Sequence, residues 1–201
     1  MDTAVQLVKT YLQANGFFTV TEYPILEVMG DGASRTVTDI DVLGLRFPGA
    51  GGFSSEASTG GLRIAPDPAL GINDSYIEAI IGEVKEGAAS LNKAATDPAV
   101  LQAVLRRFGE MDPEVTPMLV DELARTGEAL HPAGIRVRLM VFASKPPDQK
   151  GFRYTWLSLG EIGGWLSSQI RDNWERVKAV QSKDPALGFL ILFEKALRGE
   201  S

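Results

Sequence analysis

The run Tyr76-Ile77-Glu78-Ala79-Ile80-Ile81-Gly82-Glu83-Val84-Lys85 constrains this chain more than any other segment, because an apolar stretch stops abruptly in charge. Its length and its isoleucines predict a strand. Residues two apart on a strand share a face, so Glu83 and Lys85 project together while Val84 points to the other side. Charge at the end of an apolar strand is unfavourable unless it is paired or bound to a cation. A second acidic strand lies upstream, where Asp39 and Asp41 share a face within Thr36 to Phe47. Two carboxylates and a lysine suit a hard divalent cation such as magnesium, which takes oxygen ligands and is completed by water and substrate phosphate.

Around these strands the chain alternates helical and extended patterns. Val5, Leu7, Val8, Tyr11 and Leu12 recur at helical spacing between an Asp2 or Thr3 cap and Asn15-Gly16, which predicts a first helix over 4–14. Phe17 to Val28 is rich in β-branched and aromatic residues and predicts a strand disturbed at Pro24, paired as a hairpin with 36–47. Residues 48–73 are dense in Gly, Ser and Pro and read as a long surface insertion after the second strand. Helices are expected over 88–109, with a restart at Asp97-Pro98, and over 113–127; strands are expected over 135–144 and 152–157. Ser158-Leu159-Gly160-Glu161 forms a capping-box pattern that opens a helix to about Arg176, followed by a short helix ending near Leu197. The order predicts one α/β domain over 1–201, with 158–201 as a C-terminal helical part.

Composition removes several kinds of chemistry. With no cysteine and only His131, thiolate zinc sites, iron–sulfur clusters, cysteine nucleophiles and histidine-rich metal sites are excluded. There is no Gly-Lys-Ser/Thr for a phosphate loop, Gly49 to Ser54 fails the dinucleotide fingerprint, and His131 beside Pro132 reads as an exposed loop residue. No apolar run reaches membrane-spanning length and the start lacks a secretory pattern, so no membrane role and a cytoplasmic location are expected. The formal charge is −6, yet residues 135–178 carry eight basic against four acidic side chains. Arg136, Arg138, Lys145, Lys150 and Arg153 are therefore candidates to follow a phosphate backbone, although alternating Arg136 and Arg138 equally suit the solvent face of a strand.

In this order of elements, Asp41 followed by apolar residues and Glu83-Val84-Lys85 resemble the metal-binding Asp and the Glu-x-Lys of the PD-(D/E)XK nuclease superfamily. Leu7-Val8-Lys9 through Asn15-Gly16-Phe17 is similar to the first helix and following strand of archaeal Holliday-junction resolvases within it. The resemblance implies a restriction endonuclease-like core, a central mixed β-sheet flanked by helices. It also implies Mg²⁺ or Mn²⁺ held by Asp41, Glu83 and the carbonyl of Val84, with catalysis by Asp41, Glu83 and Lys85 on nucleic acid, DNA before RNA. An ammonium beside two carboxylates suits charge stabilisation better than general-base work. Two departures stand out: Gln6 occupies the place where many members carry a helix Glu, and Ile40 precedes Asp41 where Pro is usual. Gln6, Asp39 and Glu27 are accessory candidates, Asp39 being expected to pair with Arg35 or satisfy its hairpin. The alternative is a catalytically silent nuclease-fold module that binds nucleic acid or protein, or an α/β domain in which the three charges form only a structural network. A homodimer is an open alternative, with the apolar surface around Trp165 and Trp174 as its candidate face, although core packing is the more usual fate of such tryptophans.

Overall fold

The computed structural model describes residues 2–28, 30, 32–51, 65–109 and 114–200. Among these, six helices and six strands follow the order α1 (Thr3–Ala14), β1 (Phe18–Val28), β2 (Ser34–Arg46), β3 (Ile77–Ala88), α2 (Pro98–Phe108), α3 (Thr116–Thr126), β4 (Glu128–His131), β5 (Ile135–Lys145), β6 (Thr155–Ser158), α4 (Leu159–Asp172), α5 (Trp174–Val177) and α6 (Pro185–Arg198). One mixed, open sheet runs β1-β2-β3-β5-β4. The β1–β2, β2–β3 and β4–β5 pairs are antiparallel, whereas β3–β5 and β5–β6 are parallel. Register places β4 against the first half of β5 (Ile135 to Arg138) and β6 against the second half (Met140 to Ala143), so the two short strands share one edge end to end.

Alternation along the central strands sorts the apolar side chains into two layers. Ala79, Ile81, Val137 and Leu139 face Val100, Leu101, Val104 and Leu105 of α2 and Leu119 and Leu123 of α3. Ile80, Met140 and Phe142 face Val8, Tyr11 and Leu12 of α1 and Ile162 and Leu166 of α4. This is an α/β sandwich of sheet and helices, as the alternating pattern requires. Gly82 is where the second layer is tightest: a Cβ there would lie 2.5 Å from Val42 Cγ1 and 2.9 Å from Phe142 Cε2. No helix among the described residues is long and apolar enough to cross a membrane.

Several elements differ from the sequence expectation for local reasons. β3 continues to Ala88, and the helix expected from residue 88 is instead a 3-10 turn (Lys93–Thr96) capped by Asn92 followed by α2, where Asp97 accepts from the Ala99 and Val100 N–H groups and Pro98 takes the first helical position. Helix α4 keeps its capping box but stops at Asn173, so the C-terminal part is three helices rather than two. β1 runs through Pro24 without interruption, which an edge strand permits because no ladder partner needs the missing N–H. His131 is not in a loop: it ends β4, and its Nδ1 accepts from the Ala133 N–H at 3.0 Å.

Of the insertion, residues 52–64 lie outside the described residues. Its far end is not surface chain. Leu70, in a 3-10 turn (Pro68–Leu70), is fully buried, and Asp67 accepts from the Tyr11 hydroxyl at 2.8 Å. The Tyr11 hydroxyl is pushed well above its ordinary value, first by burial and then by the Asp67 carboxylate.

Arg138 holds this turn to the sheet. It is 3% exposed, donates from Nη1 to the Leu70 carbonyl at 2.6 Å, and places Nη2 3.0 Å from Glu78 Oε2, close but not aligned as a hydrogen bond. Glu78 is fully buried and also accepts from Arg136 at 3.2 Å and from the Asn73 N–H at 2.9 Å, while Arg136 grips Glu128 with two bonds of 2.7 and 2.8 Å. Removing one member of such a network strands a buried charge, which typically costs about 3–5 kcal/mol. Glu78→Ala is therefore expected to lower unfolding free energy by roughly that amount, read from urea denaturation followed by circular dichroism. A loss below about 1 kcal/mol, the scale of exposed ion pairs, would place the network in effectively solvated surroundings.

Candidate functional site

The β2–β3 ladder runs from Arg46↔Glu78 to Val42↔Gly82 and ends there. Beyond this point the two strands part. The Val84 N–H, which would otherwise lack a strand partner, donates to Asp41 Oδ2 at 2.7 Å, so an acidic side chain takes the role of a backbone acceptor. In an extended strand the N–H and C=O of one residue face the same neighbour, so the Val84 carbonyl is turned toward the Asp41 side as well. On the other side of the gap, Lys85 Nζ is ion-paired with Glu83 Oε1. Glu83 is buried at 7% exposure and Lys85 is partly open. The sequence-predicted triad of Asp41, Glu83 and Lys85 is thus brought together, and Val84 joins it through its backbone.

The carboxylates are electrostatically strained. Burial lifts Asp41 above the ordinary value, the Val84 N–H and the Lys85 charge pull it back, and Asp2 and Glu22 push it up again. Burial likewise lifts Glu83 against its bond to Lys85, with Asp41 adding to the rise. Two residues therefore belong to the neighbourhood that the sequence reading passed over. Asp2 caps α1, accepting from the Ala4 N–H at 2.7 Å. Glu22 sits between the Thr21↔Val42 and Tyr23↔Ile40 pairs, opposite Asp41, with φ of 53°, and no other described non-glycine residue has positive φ. That conformation is uncommon for Glu and has no signature in sequence.

The accessory candidates separate. Gln6 is buried in α1 one turn beyond Asp2, with its amide nitrogen unpartnered. Asp39 is exposed opposite Pro24 and does not pair with Arg35. Arg35 instead binds Glu27 at 2.7 Å, in the part of the hairpin beyond the bulge at Ile25/Leu26 and away from Asp41. Glu27 is thus not brought to the site.

The basic candidates separate too. Arg136 and Arg138 are committed to Glu78, Glu128 and the Leu70 turn, so neither the phosphate-tracking nor the solvent-face expectation describes them; Arg138 in particular is covered. Glu78 was the overlooked signal, since an acid inside an apolar strand needs a cation. Lys145, Lys150 and Arg153 are exposed, and Lys145 ends β5 two residues beyond Ala143, the register partner of Lys85. Arg153 lies over the Tyr154 ring at 5.4 Å.

Among the described residues, no three His, Cys, Asp or Glu side chains gather as a metal cage. What the site offers is two carboxylates and one carbonyl. That all-oxygen set fits Mg²⁺ or Mn²⁺, which are commonly held by one or two carboxylates with water and substrate phosphate completing the shell. The chain matches no family model, no curated protein and no solved structure.

The raised Asp41 carries a pH consequence. An acid held above its unfolded value, about 3.9 for Asp, contributes stability below that pH, and the contribution is lost as pH rises through the folded-state value. Asp41→Asn retains an acceptor for the Val84 N–H and removes the charge. Its melting temperature is expected to exceed that of the wild type at neutral pH, with the difference shrinking as pH falls through the carboxylate range. Paired thermal melts across that range test this, and a variant less stable at neutral pH would show that the ionised carboxyl is stabilised where it stands.

Proposed function

We propose that this chain is a metal-dependent nuclease that hydrolyses phosphodiester bonds in DNA, built on a restriction endonuclease-like core. The observation that carries the reading is the convergence of Asp41, the Val84 backbone, Glu83 and Lys85 where β2 and β3 separate. The mixed sheet with α1 on one face and α2 on the other supports it, because it delivers acid and Glu-x-Lys from adjacent strands.

Each group has a role that follows from its setting. Asp41 and Glu83 are destabilised as free carboxylates, so they are poised to gain from a cation. A bound Mg²⁺ or Mn²⁺ would supply Lewis-acid polarisation of the phosphodiester and a more acidic water. The Val84 N–H fixes the Asp41 carboxylate and leaves the Val84 carbonyl available as a neutral oxygen donor. Lys85, paired with Glu83 in the structure, would present its ammonium to the charge that develops on the phosphoryl oxygens. Lys145, Lys150 and Arg153 are the exposed cations that remain to position the backbone of a substrate.

A second reading has its own observation. Gln6 stands on α1 where the resemblance implies an acid and keeps its amide nitrogen unpartnered, while Asp2 and Glu22 add negative charge beside Asp41. A chain so arranged could keep the architecture and bind nucleic acid or protein without cutting. Cleavage of labelled single-stranded, double-stranded and branched DNA with Mg²⁺ or Mn²⁺ separates the two. The wild type is expected to cut at least one substrate, with Lys85→Ala and Asp41→Asn reducing the rate by about 10²- to 10³-fold while remaining folded. Metal-dependent cutting that survives both substitutions, or no cutting by the wild type, overturns the nuclease reading.

A further inference from the structure

Helix α6 is apolar on two sides. Its inner side buries Ile191 and packs Leu187 and Leu190 against Ile170, Trp174 and Val177. Asp184 fixes its start, accepting from the Leu187 N–H at 2.9 Å and from the Thr10 hydroxyl at 2.6 Å, with Lys9 3.4 Å away. Burial opposes ionisation of Asp184, but these donors together hold it below the ordinary carboxylate value. The helix is therefore anchored on α1.

The outer side has no such partner among the described residues. Phe189, Leu192, Phe193 and Leu197 are 63%, 64%, 52% and 65% exposed, and Ala196 is exposed between them. Their spacing of three and four makes one stripe along the helix. The Phe189 and Phe193 rings stack, 6.1 Å apart and 14° from parallel. The tryptophans take the core-packing fate rather than forming such a face: Trp174 is 4% exposed beneath Arg198, and Trp165 packs edge-on against Tyr11.

We propose that this stripe is the interface of a homodimer, in which a second copy of the chain lays its own α6 antiparallel across the first. Three features select a second copy. The stripe contains no charge, since Glu194 is turned inward and held by Arg198 at 2.8 Å, so two stripes meet without repulsion despite the formal charge of −6. A two-fold axis near Leu192 and Phe193 brings the Phe189 end of one stripe onto the Leu197 end of the other, which makes the surface self-complementary and the assembly closed. The exposed apolar area is on the order of 400–500 Å² per copy, the size of the largest apolar patch on a typical monomer, which is often a functional surface. Two copies together approach the roughly 1,000 Å² at which specific interfaces begin, which points to a reversible dimer.

Sedimentation velocity of the full chain from about 1 to about 200 µM tests this directly. The wild type is expected to move toward twice the 21.7 kDa chain mass as concentration rises. Leu192→Glu combined with Phe193→Glu is expected to weaken association by about 100-fold or more through like charges at the axis, with an unchanged circular dichroism spectrum because both positions are exposed. As the chain has no cysteine, Leu192→Cys introduces a single thiol. It is expected to yield a disulfide-linked dimer on mild oxidation, whereas Met118→Cys, at a 73% exposed position on α3, is not. A wild type that stays monomeric throughout, a double variant that dimerises as tightly, or equal cross-linking of the two cysteine variants overturns the proposal.

Discussion

The parallel pairing of β3 with β5 is the constraint from which the layers follow. Both strands are apolar on both faces over most of their length, so neither face can be left to water. Helices α1 and α4 cover one side and α2 and α3 the other. A parallel pair also needs a crossover, and α2 with α3 supplies it while forming one of the two layers. The antiparallel hairpin of β1 and β2 then extends the sheet on the β3 side, which sets Asp41 beside Glu83.

Charge at the two ends of β3 is treated in opposite ways. At the beginning, the buried Glu78 is matched by Arg136, Arg138 and the Asn73 N–H. At the far end, Asp41 and Glu83 share one lysine and one backbone N–H, and both are raised above their ordinary values. The first arrangement joins a loop to a sheet. The second leaves two carboxylates raised by burial where the strands diverge.

The sequence made β3, β5, α1 and the hairpin legible because long periodic or apolar segments report burial directly. That Glu83 and Lys85 share a face followed from strand parity, whereas bringing Asp41 to them was implied by the motif resemblance, since parity does not say which strands pair. β4 was not, since four residues between a glycine and a turn carry no period. The insertion was misjudged at Leu70 because one buried leucine in a glycine- and proline-rich stretch gives no pattern, and its anchor, Arg138, lies 68 residues away. Arg136 and Arg138 alternate like a solvated face, and only the buried Glu78 could have argued otherwise. Glu22 entered the site through a backbone conformation, a property that side-chain identity does not encode.

The left-handed backbone of Glu22 and the proline at position 24 have a bearing on solubility. β1 is an 11-residue edge strand that exposes Phe18, Val20 and Leu26, the kind of margin on which a foreign strand could dock and propagate. Pro24 removes one donor from that margin, and the left-handed Glu22 turns the backbone two residues earlier. The same segment that brings an acid toward Asp41 thereby spoils the flat template that aggregation requires.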